Sequence, residues 1–303
     1  MVKNFDIVTF GSAITDIFVA TDQPTANNSF NYKIGHKLLI KNLQFDIGGG
    51  ATNAATAFSR FGLKTGCVCK VGNDNNGKDI LELLKKEKIT FLGSIGKGKT
   101  GVSIILNKKK IGRTVLTNRE ESDNLKSSDV KPYKTKWLYL SSLLKSSFNT
   151  QKKIVLKMAK GGTRVAFNPS EYLIQKKDIR EILRVTSILI LNKEEAGLLT
   201  KKYKKRGPLL HSIRSLGPKI VVITNKNEPI KAYNGIREYS IKPHKIKVIE
   251  RTGAGDAFAS GFVAGIMANY PIEKCLKLAL EEGESVLKYF GAKNKLLKKK
   301  LRQ

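Results

Sequence analysis

Short apolar runs alternate with helically spaced apolar positions from one end of the chain to the other. Phe5–Phe10, Thr65–Val71, Trp137–Leu140, Arg164–Phe167, Ser187–Leu191 and Lys219–Thr224 predict strands. Between them, Ala51–Phe61, Lys78–Lys86, Asn149–Ala159, Ile179–Leu183, Glu194–Leu199 and Leu209–Leu216 predict helices, and Asp256–Ala268 and Ile272–Tyr289 two more in succession. This alternation predicts an α/β fold around a mainly parallel sheet. Two β-branched stretches without helical period, Ile17–Asp46 and Thr100–Thr117, interrupt the rhythm. Paired, they would form a small β lid over the strand ends, where open α/β sheets bind ligands.

At 303 residues, one large domain spanning 1–303 with a small appendage is expected, rather than two equal domains. With 41% hydrophobic and 27% charged residues, the composition excludes the disordered and membrane classes. Asp6 and Asp16 interrupt the apolar N-terminus, no cleavage site follows a basic segment, and no stretch would span a bilayer, so the expected location is the cytoplasm. Cys67, Cys69 and Cys275 have neither zinc spacing nor a neighbouring histidine, which points to reduced thiols.

The net charge of +31 raises the question of nucleic acid. Only 11 of the 56 basic residues are Arg, and the runs Lys108 to Lys110, Lys201 to Arg206 and Lys298 to Lys300 are scattered and poor in aromatics. Nucleic-acid readers cluster Arg with stacking rings, so a Lys-biased surface without a specific nucleic-acid partner is the expectation. Residues 293–303, KNKLLKKKLRQ, are expected as a frayed basic tail.

Gly93 to Thr100 spell the G-x-x-x-x-G-K-[ST] phosphate loop. Its mechanism requires a helix beginning at the Lys-Thr pair, so that amides and dipole face the phosphates. Here Gly101-Val102-Ser103-Ile104-Ile105-Leu106 comes next, a strand former, so the match is expected to be a lid turn.

A second glycine-rich turn has the required context. Thr252-Gly253-Ala254-Gly255 directly precedes Asp256 and a helical stretch of small residues. Amides at such a helix start form a site for the negative charge that develops on a transferring phosphoryl group. Asp256 beside them is placed to accept a proton from an attacking hydroxyl, although Asp is also among the best plain helix caps. Gly48-Gly49-Gly50-Ala51-Thr52-Asn53 precedes another helix, and two such turns in one α/β chain point beyond capping.

With these residues in view, the chain resembles the ribokinase-like (PfkB) family of carbohydrate and nucleoside kinases. GGGATNAATAFSRFG followed by VGNDNNG resembles the family's first signature and RTGAGDAFASGFVAG its second. Asn192-Lys193-Glu194-Glu195 resembles its N-x-x-E element, and Gly291-Ala292 its C-terminal Gly-Ala. The resemblance implies a three-layer α/β/α sandwich with a β lid, and ATP with Mg²⁺ as donor. It implies Asp256 as base, with Gly253, Ala254 and Gly255 as anion hole. Asp16, Gly48, Gly49 and Asn53 would hold a sugar or nucleoside. Asn192, Thr224, Thr252, Gly253 and Gly255 would lie around the nucleotide, and Glu195 with Asn192 would organise Mg²⁺ through water, because Mg²⁺ sheds its hydration shell reluctantly. Asp16 can also be read as a turn residue, and Asn192 and Glu195 as ordinary helix-start polarity. A monovalent cation and a homodimer are left open.

Two departures count, the first against nucleotide fit and the second against ribose as the acceptor. Thr224-Asn225-Lys226-Asn227-Glu228-Pro229 has Lys and Pro where many relatives carry glycines around the nucleotide, and Ser141-Ser142-Leu143 stands where ribokinases proper carry an acidic residue. A ligand-binding member with little kinase activity and a basic nucleic-acid-associated protein are the competing readings.

Overall fold

The computed structural model describes residues 2–20, 25–26, 29–108 and 112–301. Parts of both expected lid segments, of the Lys108 to Lys110 run and of the 293–303 tail therefore lie outside the described residues. A nine-stranded sheet runs in the order Glu238–Ile241, Glu228–Tyr233, Ile220–Asn225, Ile188–Asn192, Arg164–Asn168, Tyr133–Ser141, Lys3–Phe10, Thr65–Val68, Thr90–Phe91. From Ile220–Asn225 to Thr90–Phe91 every pairing is parallel, while Glu228–Tyr233 and Glu238–Ile241 add antiparallel strands.

The strands read as unbroken apolar runs because both faces are covered. Val8, Phe10, Leu138, Leu140, Leu189 and Leu191 enter one apolar cluster, with Phe148 and Val155 of the Lys145–Lys160 helix. Their alternates Ile7, Trp137, Tyr139, Ile188 and Ile190 enter another, with Phe58, Phe262 and Leu276 from the Gly50–Arg60, Ala254–Met267 and Ile272–Leu287 helices. Period-two alternation thus generates the helix–sheet–helix layering.

The segments predicted as a flap pair in a separate four-stranded sheet, ordered Gly112–Glu120, Thr100–Lys108, Ile14–Ala20, Asn42–Gly48. Its strands begin at Ile14 and run to Glu120, beyond the bounds read from the sequence. Ser103 pairs with Asp16 and Ile105 with Phe18, so one face of the flap carries Asp16, Phe18 and Ile105. Phe45, Ile104 and Leu116 lie exposed on the other. No helix of the described residues is long and apolar enough to cross a membrane.

The Gly93 to Thr100 phosphate-loop match leads into the Thr100–Lys108 strand, with no helix. Its donors already hold carboxylates: the Thr100 amide and hydroxyl donate to Asp74 at 2.8 and 2.6 Å, and the Gly98 amide to Glu121 at 2.9 Å.

The expected frayed tail needs correction over the described residues. Leu296 is buried and Leu297 and Leu301 pack on the helical core. The Leu301 amide donates to the Phe61 carbonyl at 3.1 Å, and the Leu297 amide to Glu282 Oε2 at 2.8 Å. The lysines had masked the spacing of these leucines. Burial pushes the Glu282 carboxyl from 4.5 up to about 7, against the opposing pull of the Leu297 amide and Arg60. Its Oε1 has no partner among the described residues.

A carboxyl with a raised folded pKa contributes stability fully present below its unfolded value and lost as pH rises through the folded one. Glu282 therefore weakens the fold between about pH 4.5 and 7. Glu282→Gln removes that ionisation and keeps an acceptor for Leu297. Its melting temperature relative to the wild type should rise from pH 4.5 to pH 8; a pH-independent difference would contradict this assignment.

Candidate active site

The Lys3–Phe10 strand lies between Tyr133–Ser141 and Thr65–Val68, where the order of the parallel strands reverses. Open α/β sheets leave a crevice beyond the strand ends at such a point. Gly11 and Ser12 follow the strand there. Ser12 holds the first glycine turn, its carbonyl accepting from the Ala51 amide at 3.0 Å and its Oγ from Gly50 at 3.3 Å. Gly49 caps the helix at φ 97°, and a Cβ there would run into the Ser12 carbonyl. A Cβ on Gly48 would strike the Asp16 carboxylate, so Asp16 lies directly over the glycine backbone.

One turn into this helix is buried Asn53, whose Nδ2 donates to Asp256 Oδ2 at 2.8 Å. Asp256 sits in the first turn of Ala254–Met267. Burial raises its pKa, against the Asn53 hydrogen bond and the charge of Lys293. Lys293 Nζ donates to Asn53 Oδ1 at 2.8 Å and to the Ile47 carbonyl. Asp16 is pushed up to about 7 by burial, with Lys293 pulling down and Asp46 and Asp256 pushing further up.

The second glycine turn packs against the C-terminal segment. Gly253 adopts φ 80°, and a Cβ there would collide with Ala292, not with ligand space. Gly253 and the Gly291-Ala292 turn are thus packing partners. At Gly255, by contrast, a Cβ would meet nothing within 4 Å. The Ala254 amide donates to the Arg251 carbonyl at 3.3 Å, while those of Gly253, Gly255 and Asp256 have no partner among the described residues. Free first-turn amides beside open space suit an anion.

A cavity of about 150 Å³ joins Ser12, Gly50, Ser141, Asn168, Glu195 and Asp256. Ser141 Oγ is buried there with no partner among the described residues. Asn192 and Glu195 cap their helix reciprocally: Glu195 N donates to Asn192 Oδ1 at 2.7 Å and Asn192 N to Glu195 Oε2 at 2.8 Å. Burial lifts Glu195 to about 7, with the Asn192 amide lowering it and Glu171, Glu194 and Asp256 raising it. Thr224 pairs with Asn192 across the sheet, its hydroxyl donating to the Leu191 carbonyl at 3.4 Å.

Thr252, expected beside the nucleotide, directly precedes the second turn and is bound by Glu250. Its amide and hydroxyl donate to Glu250 Oε1 at 3.0 and 2.9 Å. From the flap, Arg113 reaches the same oxygen at 2.7 Å and Asn107 reaches Glu250 Oε2 at 2.7 Å. Burial works to raise Glu250, but the Arg251 amide, Thr252 and Arg113 outweigh it and hold the carboxyl below its ordinary value.

The pfkB family carbohydrate kinase profile matches residues 4–299. The chain belongs to the pfkB family. It is 31% identical to a cytidine kinase from Thermococcus kodakarensis over 80% of this chain and 88% of that one. Its fold is similar to that of Schistosoma mansoni adenosine kinase in complex with 2-fluoroadenosine, with TM-score 0.82, 19% identity and coverage of 95% and 96%. It is similar also to Cryptococcus neoformans ribokinase in complex with ADP, with TM-score 0.79, 21% identity and coverage of 98% and 97%. The chain is a carbohydrate or nucleoside kinase, and ATP is the donor used by this kinase family.

As a pfkB protein it departs from the glycine-rich nucleotide turn. Asn225 pairs with Glu228, leaving Lys226 and Asn227 as a two-residue hairpin loop. Lys226 adopts φ 49°, a conformation that favours glycine, and pairs with Glu194 at 2.8 Å on the surface. The free amides at the second turn fit a phosphate group. Glu195, with one oxygen outside the cap, fits a hydrated Mg²⁺ held through water.

No sequence motif pointed to Lys293, Asp46, Glu250 or Arg113 in this region. Lys293 was hidden in the basic tail; the position of Glu250 just before the Arg-Thr-Gly turn was the one available signal.

Gly253→Ala places a side chain against Ala292 in left-handed backbone, a strain of about 1–3 kcal/mol. Chemical denaturation should show a loss of that order, while Gly255→Ala, facing open space, should lose much less. Equal losses would contradict the packing role of Gly253.

Proposed function

We propose that the protein transfers the γ-phosphoryl group of ATP to a hydroxyl of a sugar or nucleoside, with Asp256 as general base. The observation that carries this reading is the Asn53–Asp256 hydrogen bond of 2.8 Å, which joins both glycine turns at one cavity. Asn53 occupies Asp256 Oδ2. The other oxygen, Oδ1, lies towards Gly50 on the cavity wall and is the atom that takes the hydroxyl proton.

Asp16, Asn53 and the Gly48-Gly49 backbone orient the acceptor, and the unpartnered Ser141 hydroxyl offers one further hydrogen bond. ATP with Mg²⁺ supplies the phosphoryl group and neutralises part of its charge. The amides of Gly253, Gly255 and Asp256 form the anion hole; Ala254, whose amide is engaged, contributes small size instead. Glu195 holds the hydrated metal ion, and Asn192 orients Glu195 through the reciprocal cap. Thr252 acts indirectly by anchoring the turn to Glu250, and Thr224 borders the nucleotide. The four-stranded flap covers the acceptor and excludes water from the transfer.

A second reading has one observation in its favour. The Lys226-Asn227 hairpin replaces a glycine turn at the nucleotide, so binding with slow transfer is its signature. Incubation with MgATP and, separately, ribose, cytidine, adenosine, inosine or fructose 6-phosphate distinguishes the two, with ³¹P NMR following product. A phosphate monoester from at least one acceptor, at a rate falling as pH drops and Asp256 takes up its proton, supports the kinase reading. Saturable acceptor binding without any ester would favour the second.

A further inference from the structure

Lys293 is 6% exposed, and a lysine is almost never buried unless paired. Its ammonium meets Asn53 Oδ1 at 2.8 Å and the Ile47 carbonyl, and Asn53 in turn meets Asp256. Charged groups face it from each neighbouring element: Asp16 and Asp46 from the flap, Asp256 from the Ala254–Met267 helix, and Arg60 from the Gly50–Arg60 helix. Three carboxyls therefore face the ammonium, while the like charge of Arg60 is paired with Glu87 at 2.6 Å.

An ammonium can only donate hydrogen bonds and an ionised carboxylate can only accept them. An amide between them has one satisfactory orientation, with Oδ1 to Lys293 and Nδ2 to Asp256. The flipped amide would set donor against donor and acceptor against acceptor. Taking Asp256 as the base, we propose that Lys293 is a positioning residue for phosphoryl transfer. Its ammonium locks the Asn53 amide towards Asp256 and neutralises part of the Asp16, Asp46 and Asp256 cluster.

The relay acts on the base in two ways. With Asn53 locked, Asp256 Oδ2 is always the engaged oxygen and Oδ1 always faces the cavity. With the ammonium present, the base is ionised at a lower pH than its burial alone would allow; burial, opposed by Lys293, describes Asp16 as well. Lys293 itself is pulled down by burial and raised by Asp46, Asp16 and Asp256, so the cluster sustains the cation and the cation the cluster.

Lys293→Met removes both the lock and the charge, whereas Lys293→Gln keeps a donor for Asn53 Oδ1 and removes only the charge. The side-chain carboxyl carbon of Asp256, assigned with Asp256→Asn and followed by ¹³C NMR titration, needs no acceptor. In both variants its titration should move up by about one pH unit, the smaller end of the effect of a nearby opposite charge. With cytidine and ribose as acceptor probes, the acidic limb of kcat should move by the same amount. At a pH on that limb, Lys293→Met should lose roughly tenfold in kcat, the fraction of ionised base lost per pH unit. Lys293→Gln should show the shifted limb with a higher plateau than Lys293→Met.

A lowered melting temperature with an unmoved Asp256 titration would overturn the proposal and leave Lys293 as a structural residue. Should Lys293→Met fail to fold, Lys293→Gln carries the same titration test. A shifted titration in a protein that phosphorylates neither probe nor any other acceptor would support the electrostatic linkage and contradict only the base assignment on which its catalytic meaning rests.

Discussion

The hydrogen bond between Asn53 and Asp256 joins the first turns of two helices separated by 203 positions in the sequence. Both helices pack on the same face of the central sheet, and their starts converge at the crevice where the strand order reverses. Both glycine turns are anchored around that junction. Ser12 anchors one turn from the end of the Lys3–Phe10 strand, and Ala292 packs beneath the other at Gly253. Neither glycine turn could be displaced without breaking contacts in the other.

That junction lies in an acidic, poorly solvated region, and burial raises Asp16, Asp256 and Glu195 alike. Burying a charge is costly unless it is paired and hydrogen-bonded. Lys293 and Asn53 meet part of the cost inside the site, and a bound cation beside Glu195 would reduce it further. A kinase active site gains from this arrangement. On the proposed assignment, burial raises the pKa of the Asp256 carboxyl and so makes it a stronger proton acceptor once ionised. At the flap tip the electrostatics run in the other direction: Glu250 is held ionised by Arg113 and by backbone amides, tying the flap to the segment before Asp256.

The layers were legible in the sequence because strands buried on both faces leave unbroken apolar runs and their covering helices keep a 3.6-residue period. Glu228–Tyr233 and Glu238–Ile241 were not read as strands, since they extend the sheet beyond its parallel region with short, charged, alternating segments. The failed phosphate loop was legible from the strand-forming run Gly101 to Leu106, which stands where a helix would have to begin. Asp256, Asn53 and the glycine turns could be singled out because each lies in a compact local motif. Lys293 could not, as its role arises from a tertiary contact 240 positions from Asn53 and its letter is one of many lysines. The purpose of Gly253 was likewise hidden: sequence shows that a side chain is missing, but only packing shows that Ala292 fills the space.

The central claim is that Asp256 accepts the proton of the attacking hydroxyl, and Asp256→Asn tests it most directly. Asn matches Asp in size and keeps a side-chain oxygen to accept from Asn53 Nδ2, so the fold should be preserved. The measurement is single-turnover phosphoryl transfer to a confirmed acceptor at saturating MgATP, alongside thermal melting and nucleotide binding. The account predicts a rate lower by roughly 10²–10⁴-fold with melting temperature and MgATP affinity retained. A variant that transfers phosphate at close to the wild-type rate would contradict it and leave Asp256 as a structural partner of Asn53.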